Sequence, residues 1–169
     1  MTSSSDPSCC NCRSPRVQTH CELCQGALCK KCVQSPPKGA FAYWEECPED
    51  LRFLNYCPSC YQEKVETAAT QYEETLTRAK AAYVFFNSQK KAIPVLKKAK
   101  TKISIENQED RDDTILKLAY RAAQDGYNAL VECEVVSAKK RNEGFLHSVW
   151  SGSAYAASVD EEKMETRFR

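Results

Sequence analysis

The chain has 169 residues, 42% hydrophobic and 28% charged, with a formal net charge of +1. That length holds one ordinary domain or two small ones. The near-neutral balance carries no global charge excess of the kind that draws nucleic acid or membrane. No apolar run reaches the roughly 18 residues that a membrane-spanning helix needs. Cysteine is the outlier: 11 residues, ten of them within the first 60.

The opening residues Met1–Pro7 have neither a basic n-region nor an apolar core, so a secretory leader is not expected. Residues 1–8 read as a disordered, Ser-rich N-terminus. Eight cysteines then form four C-x2-C pairs: Cys9/Cys12, Cys21/Cys24, Cys29/Cys32 and Cys57/Cys60. Two residues between thiolates let a tight turn aim both sulfurs at one ion, and tetrahedral Zn2+ takes two such pairs. Four pairs make two closed all-thiolate sites with no open position for chemistry. A disulfide framework needs an oxidising compartment, to which nothing here directs the chain, and an iron–sulfur cluster is the other thiolate alternative.

The full spacing is C-x2-C-x8-C-x2-C-x4-C-x2-C-x24-C-x2-C. A ribbon would share the pairs in sequence order. An interleaved arrangement would join pairs one and three, and pairs two and four. The x4 link favours interleaving, because a hairpin spans it with its two ends aimed at different ions. Between pairs three and four, Gln34–Gly39 reads as a loop. The apolar run Ala40–Trp44 after it is expected to pack between the two metal sites, with Tyr43 and Trp44 as core residues. Cys10 could stand in for Cys9, but Cys9 fits the C-x2-C spacing to Cys12. Cys47 has no partner pair.

Residues 62–82 form a connecting helix that starts at Tyr61, without Gly or Pro. Val65, Ala68/Ala69, Tyr72, Leu76, Ala79 and Tyr83 make one apolar stripe. Tyr83–Phe86 reads as a strand. Lys90–Lys102 carries six lysines and no acid, and Pro94 opposes a long helix there. Its bland reading is a solvated strand edge guarded by lysines; its functional reading is a phosphate-contacting patch. Lys102–Ile105 alternates as a strand. Asp110–Asp125 is a helix stopped by Gly126. Asn128–Ser137 is a strand with Ala129, Val131, Cys133 and Val135 on one face, Cys133 a buried thiol. Asn142–Gly144 turns into a last strand through His147–Ala156, where Gly152, Ala154 and Ala156 suit close packing. Residues 159–169 are a charged tail.

His20–Cys32 and Tyr56–Tyr61 resemble the centre and the end of a FYVE-type zinc finger, over residues 9–61. The resemblance implies a treble-clef, cross-brace finger with two Zn2+ per chain. Cys9, Cys12, Cys29 and Cys32 would hold one ion, and Cys21, Cys24, Cys57 and Cys60 the other. It also implies phosphoinositide reading through a basic run and a His pair before the third cysteine. Here only Arg16 and His20 match that run, and the Trp-x-x-Asp element is absent. Residues 1–62 carry six basic and six acidic side chains, which gives no general pull to an anionic surface.

Leu118–Val131 and Trp150–Ala154 resemble the small bacterial YbjQ-type domain, over residues 83–158. That resemblance implies a compact α+β sandwich with a mostly antiparallel sheet and symmetric homo-oligomers, rings among them. The expected fold class is therefore α+β: a double zinc finger, a connecting helix and a C-terminal α+β domain.

With two histidines, no phosphate-binding Gly-rich loop and closed thiolate sites, no enzyme is expected. The expected function is a non-enzymatic, cytoplasmic zinc-binding adaptor, the finger its recognition head and the C-terminal domain its homo-oligomerisation module. Its partners are itself and an unidentified protein, and nucleic acid is not expected. The alternative is a protein peripheral at a membrane, binding phosphoinositide or other anionic lipid through Arg16, His20, Lys30 and Lys31 of the finger and the Lys90–Lys102 patch.

Overall fold

The computed structural model describes residues 7–89 and 91–167. Of the disordered N-terminus expected over 1–8, residues 1–6 lie outside the described residues, as do Lys90 of the lysine patch and Phe168–Arg169 of the tail. The chain divides into two compact units, between Glu73 and Glu74.

The first unit has little regular structure. Its hairpin pairs β1 (Thr19–His20) with β2 (Ala27–Leu28), Thr19 opposite Leu28 and His20 opposite Ala27. A single 3-10 turn covers Glu49–Leu51. A helical run begins with α1 (Pro58–Cys60), widens to a π-helical stretch over Tyr61–Glu66, and continues as α2 (Thr67–Lys80), inside which the unit boundary falls. Val65, Tyr72, Leu76 and Ala79 are buried, so the predicted stripe exists.

The core of this unit is made largely of cysteines. Cys9, Cys21, Cys29, Cys32 and Cys57 cluster around fully buried Leu28, with Leu23, Val33 and Cys60 against them. The Ala40–Trp44 run does not pack there. Phe41, and not Tyr43 or Trp44, is its buried member, in edge contact with Tyr72 of α2 (5.4 Å) and with Trp44 (6.0 Å). Successive tight turns over these residues, with Phe41 itself at φ 61°, set its side chain apart from its neighbours'.

The second unit is a four-stranded mixed sheet of order β3-β5-β6-β4. Its strands are β3 (Tyr83–Phe86), β4 (Val95–Gln108), β5 (Ala129–Asn142) and β6 (Phe145–Val159). Only β3 with β5 is parallel. Helix α3 (Arg111–Gln124) crosses one face of the sheet, and α4 (Glu161–Arg167) sets Met164 against the other, with Ala129, Val131, Ala157 and Val159.

Local chemistry explains these boundaries. Asp110 caps α3 by accepting from the N–H groups of Asp112 (2.7 Å) and Asp113 (3.0 Å). At the other end Tyr127 N–H donates to Ala122 O and Gly126 N–H to Ala123 O, with Gly126 at φ 81°, the Schellman closure that glycine permits. Gly152 faces α3 so closely that a Cβ there would lie 2.8 Å from Thr114 Cγ2 and 3.0 Å from Leu118 Cδ1. The small residues of β6 thus let helix and sheet meet.

A second expectation is overturned. Ala129, Val131, Cys133 and Val135 do not share a face. Val131 pairs with Tyr155 and Glu134 with Ser153, so β5 carries one extra residue, with Glu132 at φ 51°. Such a bulge flips the alternation of a period-two strand. Ala129 and Val131 face Met164; Val135, opposite Gly152, faces α3.

Candidate metal centre

Each C-x2-C pair is built by its own local turn. In the first two pairs the leading cysteine accepts at its carbonyl from the N–H four residues on: Arg13 to Cys9 and Gln25 to Cys21, both 2.8 Å. Arg13 and Gln25 stand at φ 59° and 63°, closing each loop so that N–H groups face the sulfurs. The loop of the β1–β2 hairpin carries Cys21 and Cys24, and β2 leads directly to Cys29. The last pair sits at the start of a helix, where Pro58 fills the first turn and Cys60 N–H donates to Cys57 Sγ (3.4 Å). Glu22 fastens this pair to the hairpin, its Oε2 accepting from the N–H of Leu54 (2.7 Å) and of Asn55 (2.8 Å). Tyr56, fully buried, anchors the same approach by donating its hydroxyl to Asp50 O (2.6 Å).

These turns gather the thiols into two groups. Cys9, Cys12, Cys29 and Cys32 form one; Cys21, Cys24, Cys57 and Cys60 form the other. Within each, all sulfurs lie within 4.8 Å of one another. Cys12 and Cys29 are 3.5 Å apart, Cys24 and Cys57 3.8 Å. A tetrahedron with Zn–S bonds of about 2.3 Å has edges of about 3.8 Å. A disulfide requires about 2.05 Å. The two clusters are geometrically suited to two Zn2+ per chain, pairs one and three sharing one ion and pairs two and four the other.

The electrostatics agree. N–H groups of Cys12 and Cys29 hold the Cys9 thiol down at about 6. Burial opposes ionisation of Cys21, yet the N–H groups of Cys24, Cys57 and Leu23 hold it at about 7. Cys29 is lowered as well, its burial outweighed by Cys12 and by the N–H of Lys31, whereas Cys12, Cys24 and Cys60 resist. Cys12 is pulled down by Ser14 N–H but pushed up to about 12 by Cys29, Cys32 and Cys9. Cys60 is pushed up by burial and by Cys57, Cys24 and Cys21. Four thiolates repel one another, and a divalent cation removes that obstacle by ligating them all deprotonated. Asn11 Nδ2–H donates to Cys32 Sγ (3.3 Å), supporting the ligand from outside the cluster.

Arg16, His20, Lys30 and Lys31 are all exposed. Cys10 lies outside both clusters, its Sγ against Gly26 beside Cys24. Cys47 and Cys133 are buried single thiols, each raised by burial. Lys97, Lys98, Lys100 and Lys102 of the lysine patch lie on the edge strand β4, where Lys98 pairs with Glu132. No aromatic residue is interleaved among these lysines in the sequence, but the fold supplies them from elsewhere: Lys97 lies over Tyr127 at 5.6 Å and Lys98 over Tyr155 at 4.2 Å. Among the described residues, no helix is long and apolar enough to cross a membrane.

Compared with protein-family models, with curated proteins and with solved structures, the chain finds no match.

Proposed function

We propose that this chain is a non-enzymatic zinc-stabilised adaptor, with a FYVE-like cross-brace finger as recognition head and a YbjQ-like domain that assembles copies of the chain. The observation that carries this reading is the completeness of both thiol clusters. Four sulfurs fill every position of a tetrahedral ion, leaving none for water or substrate, so the metal organises the fold and activates nothing. A unit with this little secondary structure gains its order from the metal. Assembly supplies avidity to a head whose individual contacts are weak. The cell interior, where thiols stay reduced, suits two such sites.

Two measurements on the zinc-loaded protein test the proposal. Elemental analysis is expected to give two Zn2+ per chain, and light scattering a mass that is a multiple of 19.1 kDa. A monomer at every concentration would overturn the assembly role. Exposure of Arg16, His20, Lys30 and Lys31 supports the alternative reading of the finger as a phosphoinositide contact. Loss of phosphoinositide-specific vesicle binding in Arg16→Ala/His20→Ala would favour it.

A further inference from the structure

The end of the second unit carries a feature that the adaptor reading does not use. The last pair between β4 and β6 joins Gln108 to Trp150. Beyond it, β5 and β6 continue as a ribbon paired only with each other, through Ala138–Val149, Lys139–Ser148, Lys140–His147, Arg141–Leu146 and Asn142–Phe145. A two-residue turn, Glu143 at φ 47° and Gly144 at φ 88°, closes it. Both faces of the ribbon are exposed over 138–148. At the tip, Phe145 is 79% and Leu146 60% exposed. A bare two-stranded ribbon is marginal in water, and one that ends in two large apolar side chains is costly to leave uncovered.

Three cations and one acid, Glu143 in the turn itself, surround this tip, and Lys140 Nζ donates to Asn107 Oδ1 of β4. Lys139 and Arg141 share a face with Leu146, and Lys140 shares the opposite face with Phe145. With a rise of about 3.3 Å per residue, all three cations lie within about 10 Å, along the strand, of the Asn142–Phe145 pair. That matches the 5–10 Å to which interfacial segments sink between headgroups and acyl chains. We infer that the β5–β6 ribbon is a membrane-docking finger: Phe145 and Leu146 enter the acyl boundary of an anionic bilayer while Lys139, Lys140 and Arg141 meet its lipid phosphates.

Charge and polarity select this occupant. A second copy brought ribbon to ribbon would set the same cations against one another. A duplex would satisfy the cations, but it offers no apolar phase to Phe145 and Leu146 unless its bases unstack. An anionic bilayer satisfies both halves at once, meeting the ribbon end-on so that both faces contribute.

The test is flotation of the full-length zinc-loaded protein with phosphatidylcholine–phosphatidylserine vesicles and with pure phosphatidylcholine. Binding is expected only to the anionic vesicles, and to weaken as salt rises. Phe145→Ser/Leu146→Ser should lose about tenfold in partitioning, with an unchanged melting curve because both side chains are exposed. In Phe145→Trp, tryptophan emission beyond that of Trp44 and Trp150 should shift to the blue and be quenched by lipids brominated on their acyl chains. Arg16→Ala/His20→Ala should bind as wild type does. Failure of the wild type to float, full binding by the tip variant, or loss of binding in the Arg16/His20 variant would each overturn the inference. So would tighter binding to a labelled DNA duplex than to vesicles.

Discussion

Cys24 Sγ lies 3.8 Å from Cys57 Sγ although the two residues stand 33 positions apart. Too long for a disulfide and matched to one edge of a zinc–thiolate tetrahedron, this separation defines how the first unit is held. The loop that the pair closes has little regular secondary structure, only a two-residue strand and one 3-10 turn, so the metal must offset the entropy of ordering it.

Removing one ligand should therefore undo more than one bond. Structural zinc contributes roughly 10–16 kcal/mol of apparent binding at neutral pH, above the stability margin of a small unit. Cys24→Ser is expected to lower zinc content from two ions per chain and to render the first unit sensitive to protease, while the second unit keeps its melting transition. Unchanged zinc and unchanged stability would refute the ligand assignment.

The approach of α3 to β6 makes Gly152→Ala a packing test. The new Cβ would meet Thr114 Cγ2 at 2.8 Å, so helix or sheet must shift, at about 1–3 kcal/mol. Thr114→Ser deletes that methyl and retains a hydroxyl able to donate to Asp110 O, the bond Thr114 makes at 2.6 Å. In chemical denaturation the double variant should be less destabilised than the sum of the singles. Additive losses would mean that the contact is not the cause.

Asn128 ties three elements. Its Oδ1 accepts from Val159 N–H at 2.8 Å, and its Nδ2–H donates to Val159 O and to Glu161 Oε1. Its backbone carbonyl accepts from Tyr83 N–H. Asn128→Ala should cost about 1–3 kcal/mol by stranding the Val159 groups. Asn128→Asp should cost more than Ala above pH 5, because it sets a carboxylate against Glu161, and should recover in acid. A pH-independent difference between the two would count against this account.

Burial raises the Cys133 thiol, with Arg111 pulling partly back. A thiol held protonated in the folded state contributes stability below its unfolded value of about 8.5, and that contribution is lost as pH climbs. Denaturation midpoints should thus fall between about pH 8 and 10, and Cys133→Ala should flatten the slope. Iodoacetamide should label Cys133 only after unfolding. Rapid labelling of the native protein would contradict its burial.

Much of this architecture is legible in the sequence because short-range spacing carries it. The x4 link between Cys24 and Cys29 is short enough to be spanned by the return strand β2 alone, with Cys24 before it and Cys29 after it in different clusters. Asp110, Gly126 and the Ile103/Ile105 alternation mark elements by local chemistry. What escapes has a physical reason in each case. The bulge at Glu132 inserts one residue that no polarity pattern announces, so the predicted single face of β5 is split in two. Phe41 displaces Tyr43 and Trp44 from the core because its conformation in a tight turn, not its hydropathy, selects it. Strands β5 and β6 run past their predicted ends because a ribbon wet on both faces has no alternation to read. The tyrosines beneath the β4 lysines, Tyr155 of β6 and Tyr127 of the loop before β5, are remote in sequence, so only the fold shows them.

The sharing of cysteines between the ions is the central claim, and heteronuclear NMR of the cadmium-substituted protein tests it most directly. Two cadmium resonances are expected. One should correlate with the β-protons of Cys9, Cys12, Cys29 and Cys32, and the other with those of Cys21, Cys24, Cys57 and Cys60. A resonance joining Cys9 and Cys12 to Cys21 and Cys24 would contradict it, since the pairs would then be shared in sequence order.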